Sequence, residues 1–467
     1  MKRLFYFLLF IIMTNNLFAQ TENYKIAINN FKENFNTEKY NEIFNSFDSE
    51  MQKALPIDKT NQFLIGLKSQ VGNIENIEFI KYEKGTYASF KTKFESAILN
   101  INLSLNKLNQ VNGLYIKPYE EEIKTENKTI NVLNSFPKEI AENIYSKSKN
   151  FPNNTQLSIA IIRNGKTNYY GIIKVNDSIK AFENQNRIFE IGSLTKVFTS
   201  TVLSSLVVDN KIELTDNVNS FYPFDFKDNA KINFESLANH TSGLPRLPEN
   251  LDLSNETNPY KKYKNKELED YLKNLLKLDN SNSKKYLYSN LGAGILGNTV
   301  GLSQKTSFQN LLQKRIFDKY KMENSFMSSQ NLGSKLVKGL NENGEIISNW
   351  DFDSLFGGGG ILSCTEDLAK FASAQLNPKN KELSLTRTPT FTINEKMKIG
   401  LGWHILKSEN NQELIWHNGG TGGYSSSMSI NIKEKTAVII LSNVSAFNTE
   451  MKNIDELCFA LIKQTEE

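Results

Sequence analysis

Cysteine and histidine are scarce in this chain. Its 467 residues hold two cysteines, Cys364 and Cys458, and three histidines, His240, His404 and His417. Two distant thiols exclude a disulfide framework, and the choice left is one long-range disulfide or, more simply, two buried thiols. Three scattered histidines lack the spacing of a zinc site, so neither a metal nor a cofactor is expected. An excess of one charge is also missing: 55 Lys and Arg face 51 Asp and Glu, which gives no basis for nucleic acid binding. Long hydrophobic runs are missing as well. The apolar stretch from Leu4 to Met13 is short of the roughly twenty residues a membrane helix needs, and no later segment approaches that length. No stable membrane anchor is therefore expected.

That stretch has a different reading. Lys2 and Arg3 precede it, and Leu17-Phe18-Ala19-Gln20 offers a small residue for cleavage, so residues 1–19 are expected to be a secretory signal peptide and the mature protein periplasmic or secreted. No cysteine follows Ala19 to carry a lipid. The remaining length suggests two domains. Residues 20–118 begin with helical periodicity at Phe31, Phe35, Ile43, Phe44, Leu64 and Leu67. They then alternate like strands over Ile74–Tyr82, Thr86–Phe94, Ala97–Leu105 and Gly113–Tyr119, giving a small α+β domain. A polar run beginning at Glu120 marks residues 119–135 as a linker. Residues 136–467 form the second domain. Here a helix from Lys138 leads to the strand Leu157–Ile162, and Asn164-Gly165 signals a hairpin returning through Val175. Strands over Leu401–Leu406, Leu414–Trp416, Ser426–Ile432 and Thr436–Leu441 and a helix over Ile454–Ile462 close the chain. The early and late strands can complete one antiparallel sheet, with helices inserted between them.

Chemistry enters with Ile191-Gly192-Ser193-Leu194-Thr195-Lys196. Residues three apart share a helix face, so Lys196 can reach the Ser193 hydroxyl as a base, and a helix start leaves the Ser193 N–H free to hold an oxyanion. The same spacing recurs at Ser104/Lys107, Ser135/Lys138, Ser146/Lys149 and Ser281/Lys284. Ser193 differs by its setting: Gly192 permits a sharp turn, and Val197, Phe198, Val202 and Leu203 continue an apolar helical face. A plain helix start with Ser193 as N-cap fits these residues equally well. Two further runs bear on the choice. In Tyr288-Ser289-Asn290, a phenol can relay a proton and an amide can orient a substrate carbonyl, although a lone Tyr-x-Asn is structural in most chains. In Trp416-His417-Asn418-Gly419-Gly420, the glycines allow a substrate close approach, the Gly420 N–H can complete an oxyanion hole, and His417 can act electrostatically or as a donor.

Ser193-x-x-Lys196, Tyr288-x-Asn290 and His417-x-Gly419 together resemble the penicillin-recognising serine hydrolases, in the class C β-lactamase and D-alanyl-D-alanine carboxypeptidase group. His240-Thr241-Ser242-Gly243-Leu244-Pro245 and Gly357-Gly358-Gly359-Gly360 resemble accessory runs of that group. The resemblance covers roughly residues 136–464 and implies a β-lactamase/transpeptidase-like α/β (α+β) fold. It implies Ser193 as nucleophile, Lys196 and Tyr288 as base and proton relay, Asn290 as amide ligand, and the Ser193 and Gly420 N–H groups as oxyanion donors. His240 and Cys364 are read as packing residues. His417 stands where class C β-lactamases usually carry lysine, which shifts the expectation toward a peptidase, carboxypeptidase or esterase acting on a D-amino-acid peptide or ester. A β-lactamase is the alternative, and a sensor that binds cell-wall peptide or β-lactam without turnover is a third. The N-terminal domain resembles cystatin-like or nuclear-transport-factor-like cone folds, its ligand unknown.

Overall fold

A computed structural model describes residues 23–83, 87–119, 128–254, 257–279, 284–407 and 412–464. The expected signal peptide and most of the polar run after Tyr119 lie outside the described residues. The chain divides into two compact units, residues 1–124 and 125–467.

In the first unit, helices α1 (23–36), α2 (Tyr40–Asn45), α3 (Ser49–Ala54) and α4 (Ile57–Val71) precede strands β1 (Ile74–Glu83), β2 (Tyr87–Phe94), β3 (Ile98–Leu105) and β4 (Val111–Pro118). The strands pair antiparallel in chain order. The Asp48 carboxylate caps α3 by accepting from Met51 N at 2.9 Å. Phe35, Phe90, Phe94 and Ile101 are buried in the core between helices and sheet.

The second unit opens with β5 (Ile130–Val132) and α5 (Lys138–Ser148), followed by β6 (Gln156–Arg163), β7 (Lys166–Tyr169), β8 (Ile172–Val175) and β9 (Ser178–Ala181). Residues 130–132, expected in a linker, instead pair parallel to β9 at the sheet edge. Asn164 and Gly165 turn the β6–β7 hairpin with φ of 53° and 73°, the conformation that Asn-Gly supplies. The expected single return strand is interrupted at Tyr170-Gly171, where a side chain at Gly171 would strike the Phe182 carbonyl.

Next come β10 (Phe189–Glu190), α6 (Thr195–Val208), α7 (Phe234–Ala238), α8 (Asn265–Asp270), α9 (Asn290–Ser303) and α10 (Phe308–Leu312). After them run β11 (Gly339–Leu340), β12 (Ile346–Ile347), β13 (Leu362–Ser363), α11 (Thr365–Gln375) and α12 (Lys381–Thr386). The chain closes with β14 (Phe391–Asn394), β15 (Met397–Ile399), β16 (His404–Lys407), β17 (Glu413–Gly420), β18 (Ser425–Asn431), β19 (Thr436–Ser442) and α13 (Lys452–Gln464). Eleven strands share one sheet in the order β14-β15-β16-β17-β18-β19-β6-β8-β9-β5, with β7 beside β6. Early and late strands thus meet at β6–β19, as the pattern implied.

The two-residue period of the central strands divides the core. Leu157, Ile159, Ile161, Val438 and Ile440 pack with Ile144 of α5 and Leu457 and Leu461 of α13. Ala160, Ile162, Ile439 and Leu441 face the other way, toward the cluster that contains α6. Helix α6 departs from the expected one-sided apolar stripe: all its residues from Thr195 to Leu206 are buried. It is a central helix, wrapped by sheet, α9 and α12. The Phe198 ring is fully buried, 4.4 Å from that of Phe371. Phe198→Ala should lower unfolding free energy by about 3–5 kcal/mol. Urea unfolding followed through Trp350, Trp403 and Trp416, all in the second unit, measures it, and a loss under about 1 kcal/mol would show that the site is loosely packed.

Candidate active site

The turn that carries Ser193 is shaped by Gly192. Its φ of 52° reverses the chain after Ile191, and a Cβ there would lie 2.5 Å from Gly420 N. Ser193 then sits in a short 3-10 turn, Gly192–Leu194, that runs into α6. It is not an N-cap, since no side chain caps α6 and Leu194 occupies that position. The lysine follows one turn on, with Nζ 3.0 Å from Ser193 Oγ and 2.6 Å from the Gly358 carbonyl. Lys196 is buried, and its two hydrogen-bonding partners carry no charge. Burial, reinforced by the positive charge of Arg246, drives its pKa well below the usual lysine value. A neutral amine beside a hydroxyl is a base ready to accept its proton.

Tyr288 lies in the irregular stretch before α9. Its ring is 5.0 Å from Lys196 Nζ, and burial pushes the phenol up to about 12. It therefore keeps its proton. Asn290 starts α9 after the Ser289 cap, with its backbone N–H donating to the Arg246 carbonyl at 3.0 Å. Its Nδ2 lies 3.5 Å from Tyr260 Oη, while Oδ1 is buried with no partner among the described residues. Asn290, Ser193 and Gly420 all line one cleft of about 770 Å³.

Strand β17 runs through His417 to Gly420, longer than the expected Leu414–Trp416. Its last pair with β16 is His404–Trp416, so residues 417–420 have β18 on one side only. A side chain at Gly419 would strike the Ile191 carbonyl and come within 2.8 Å of Ser193 N, and the Ser426 hydroxyl donates to that carbonyl at 2.8 Å. The two glycines thus bring the strand against the Ser193 turn.

Residues 153–458 match the Beta-lactamase family. The chain belongs to the beta-lactamase family. Residues 29–114 match a protein family of unknown function, DUF3887. Protein flp of Staphylococcus aureus strain MW2 is 26% identical over 316 residues, 62% of this chain and 59% of that protein, so the chain spans about three fifths of the relative's length. A beta-lactamase of Pseudomonas fluorescens is 26% identical over 263 residues, 53% of this chain and 69% of its own. The beta-lactamase/D-alanine carboxypeptidase of Pseudomonas syringae superposes with a TM-score of 0.58 at 20% identity, covering 70% of this chain and all of that one. A class C beta-lactamase in complex with cefoxitin gives 0.59 at 20% identity, over 70% of this chain and 99% of that one. The fold is therefore that of the family's serine hydrolases.

Two features of this beta-lactamase-family site were not expected from sequence, the gathering of its three histidines and the buried Glu190. His417 is buried behind the cleft with Nδ1 2.5 Å from the Asn418 carbonyl, which places its proton on Nδ1. Burial drives its pKa well down, so it offers a bare Nε2 and no positive charge. The electrostatic role considered for His417 is thus unavailable to it as a cation. All three histidines converge. The rings form a closed circuit of His240, Tyr288, His417, His404 and Tyr286, with neighbouring centroids 4.6–6.4 Å apart. Among the described residues no three His, Cys, Asp or Glu side chains are placed to hold a metal ion. His240 accepts from Ser289 N at 3.2 Å and so packs the Tyr288 stretch, as read. Cys364 caps α11 and Cys458 is buried in the core, both as free thiols.

Glu190 precedes the turn and is buried. Its Oε1 accepts from Asn349 Nδ2 at 2.7 Å and Trp350 N at 2.9 Å, tying β10 to the cleft wall. Burial pushes this carboxyl from its ordinary 4.5 up to about 7, against the opposing pull of Thr421 and Asn349. The folded state thus holds the proton more tightly than the unfolded chain. Stability should fall as pH rises from about 4.5 to 7 and level off above, a loss of about 3 kcal/mol from this group. Glu190→Gln keeps the acceptor and should flatten the curve over that range in urea melts. An unchanged slope would mean that Glu190 does not titrate there.

Proposed function

We propose that this chain is an exported serine hydrolase that cleaves peptides or esters through an acyl-enzyme on Ser193. The observation that carries the reading is the buried, uncharged-shell lysine 3.0 Å from the serine hydroxyl. Lysine driven down and tyrosine driven up divide the labour between them. Lys196 takes the Ser193 proton as Oγ attacks the substrate carbonyl, and Tyr288, still protonated, gives a proton to the departing group. The Ser193 and Gly420 N–H groups receive the oxyanion, with Asn290 Oδ1 free for a substrate amide. Water then attacks the acyl-enzyme, its proton returning through the same pair, and Ser193 leaves as the free hydroxyl.

The relatives and structures bearing beta-lactamase and carboxypeptidase names support acyl transfer of this kind. The neutral His417 supports a peptide or ester over a β-lactam, because the position contributes no cation to the strand beside the nucleophile.

Ser193→Ala should abolish ester and peptide hydrolysis, and Lys196→Met should lower kcat/KM by about 10²–10⁴-fold. Activity should rise with pH as Lys196 deprotonates and reach its plateau well below the ordinary lysine range. Release of D-alanine from a peptide ending in D-Ala-D-Ala identifies a carboxypeptidase, and rapid penicillin turnover would instead identify a β-lactamase. Hydrolysis that survives Ser193→Ala would defeat the mechanism.

A further inference from the structure

Residues 417–420 carry one of the two donors assigned to the oxyanion. Because β16 ends opposite Trp416, this stretch pairs with β18 alone, and its free edge lies against the Ser193 turn. Its side chains offer few fastenings. Gly419 and Gly420 have none to offer, and the hydrogen bond of the His417 ring goes to the carbonyl of the next residue. Asn418, on the opposite face of the strand from His417, is different. Its Nδ2 donates at 2.7 Å to Oδ2 of Asp455 in α13. Among the described residues, this is the one side-chain hydrogen bond that ties residues 417–420 to another element.

Packing alone gives no reason for an acid in that place. Phe459, one turn further along α13, already packs the helix on β17 with its ring 5.5 Å from that of Trp416, and Leu457 and Leu461 are buried in the core. The Asp455 carboxyl forms no ion pair among the described residues; Lys147 of α5 pairs with its neighbour Glu456 at 2.6 Å. Its Oδ1 is buried with no hydrogen-bond partner among the described residues, and burial raises its pKa. An apolar side chain would cost less to bury. What the acid adds is a strong acceptor aimed at one N–H.

Resting on the Ser193 and Gly420 N–H groups as oxyanion donors, we propose that Asp455 is a positioning residue of the hydrolytic site: through Asn418 it fixes the end of β17 and so the direction of the Gly420 N–H. It touches no substrate and takes no proton. Its effect falls on the interaction that strengthens as the carbonyl oxygen becomes an anion, so it is felt in kcat more than in KM. Helix α13, on the face of the sheet away from α6, thereby takes part in the chemistry.

Phenyl acetylglycinate and its thionoester, with C=S in place of C=O, test this. Sulfur is the poorer hydrogen-bond acceptor, so the thionoester draws less on the two N–H groups, and the wild type should favour the ester in kcat/KM by about a hundredfold. Asp455→Ala should cut that ratio about tenfold, chiefly through kcat, and Asp455→Asn, whose amide oxygen still accepts, should restore part of it. Asn418→Ala should act alike, and joining it to Asp455→Ala should add nothing. Glu456→Gln, which frees α13 from Lys147 and leaves Asn418 held, should keep the wild-type ratio. Each readout compares two substrates of one variant, so any loss of folded protein cancels. A large wild-type ratio that Asp455→Ala and Asn418→Ala leave in place, or that Glu456→Gln lowers equally, would overturn the positioning role while the mechanism stood. A wild-type ratio near one, or hydrolysis that survives Ser193→Ala, would instead overturn the oxyanion or nucleophile assignment on which it rests.

Discussion

The rest of the second unit is arranged around an amine kept out of water without an acid to balance it. A charged lysine in that position would be costly to bury, so the surroundings favour the neutral form and satisfy its hydrogens with neutral oxygens. One of these is the Gly358 carbonyl, 162 residues further along the chain. Reaching it requires main chain to come between α6 and α9. A side chain at Gly357 would strike the Ala293 carbonyl and approach Gly297, and one at Gly294 would strike Leu355. Thr199 completes the seam by donating to the Gly357 carbonyl at 2.8 Å. The glycine run, the glycines of α9 and the buried threonine thus follow from the one uncharged amine.

How much of this was legible follows from how local each cause is. The sheet could be read because β6, β18 and β19 carry period-two apolar patterns, and the hairpin because Asn164-Gly165 has its own backbone preference. Ser193, Lys196, Tyr288, Asn290, Gly419 and Gly420 could be singled out because short runs carry them. Glu190 and Asp455 could not. Acidic residues before a turn and on a closing helix look like ordinary surface charge until the fold buries the first and sets the second against Asn418. The glycine run was visible but its purpose was not, since the lysine it accommodates is distant in sequence.

The histidines show the same limit. Read along the chain they are isolated and lack metal spacing. In space they gather with Tyr286 and Tyr288 behind the cleft, where Tyr286 Oη and His404 Nε2 are 2.8 Å apart. Burial drives all three below the ordinary histidine range, with His404 near 4. They form an uncharged backing for a lysine that also has to stay uncharged.

The order of strands has a consequence for how the protein is made. The centre of the sheet joins β6 to β19, which lie near opposite ends of the second unit's sequence. Ser193 emerges early in synthesis, but the strand bearing Gly420 and the strand that anchors β6 emerge almost last. Nearly the whole unit must be released before its closing contacts can form, and such long-range closure is slow. A nascent chain therefore carries Ser193 before the Gly420 strand that packs against it, and the cleft comes into being only once both ends of the second unit have met.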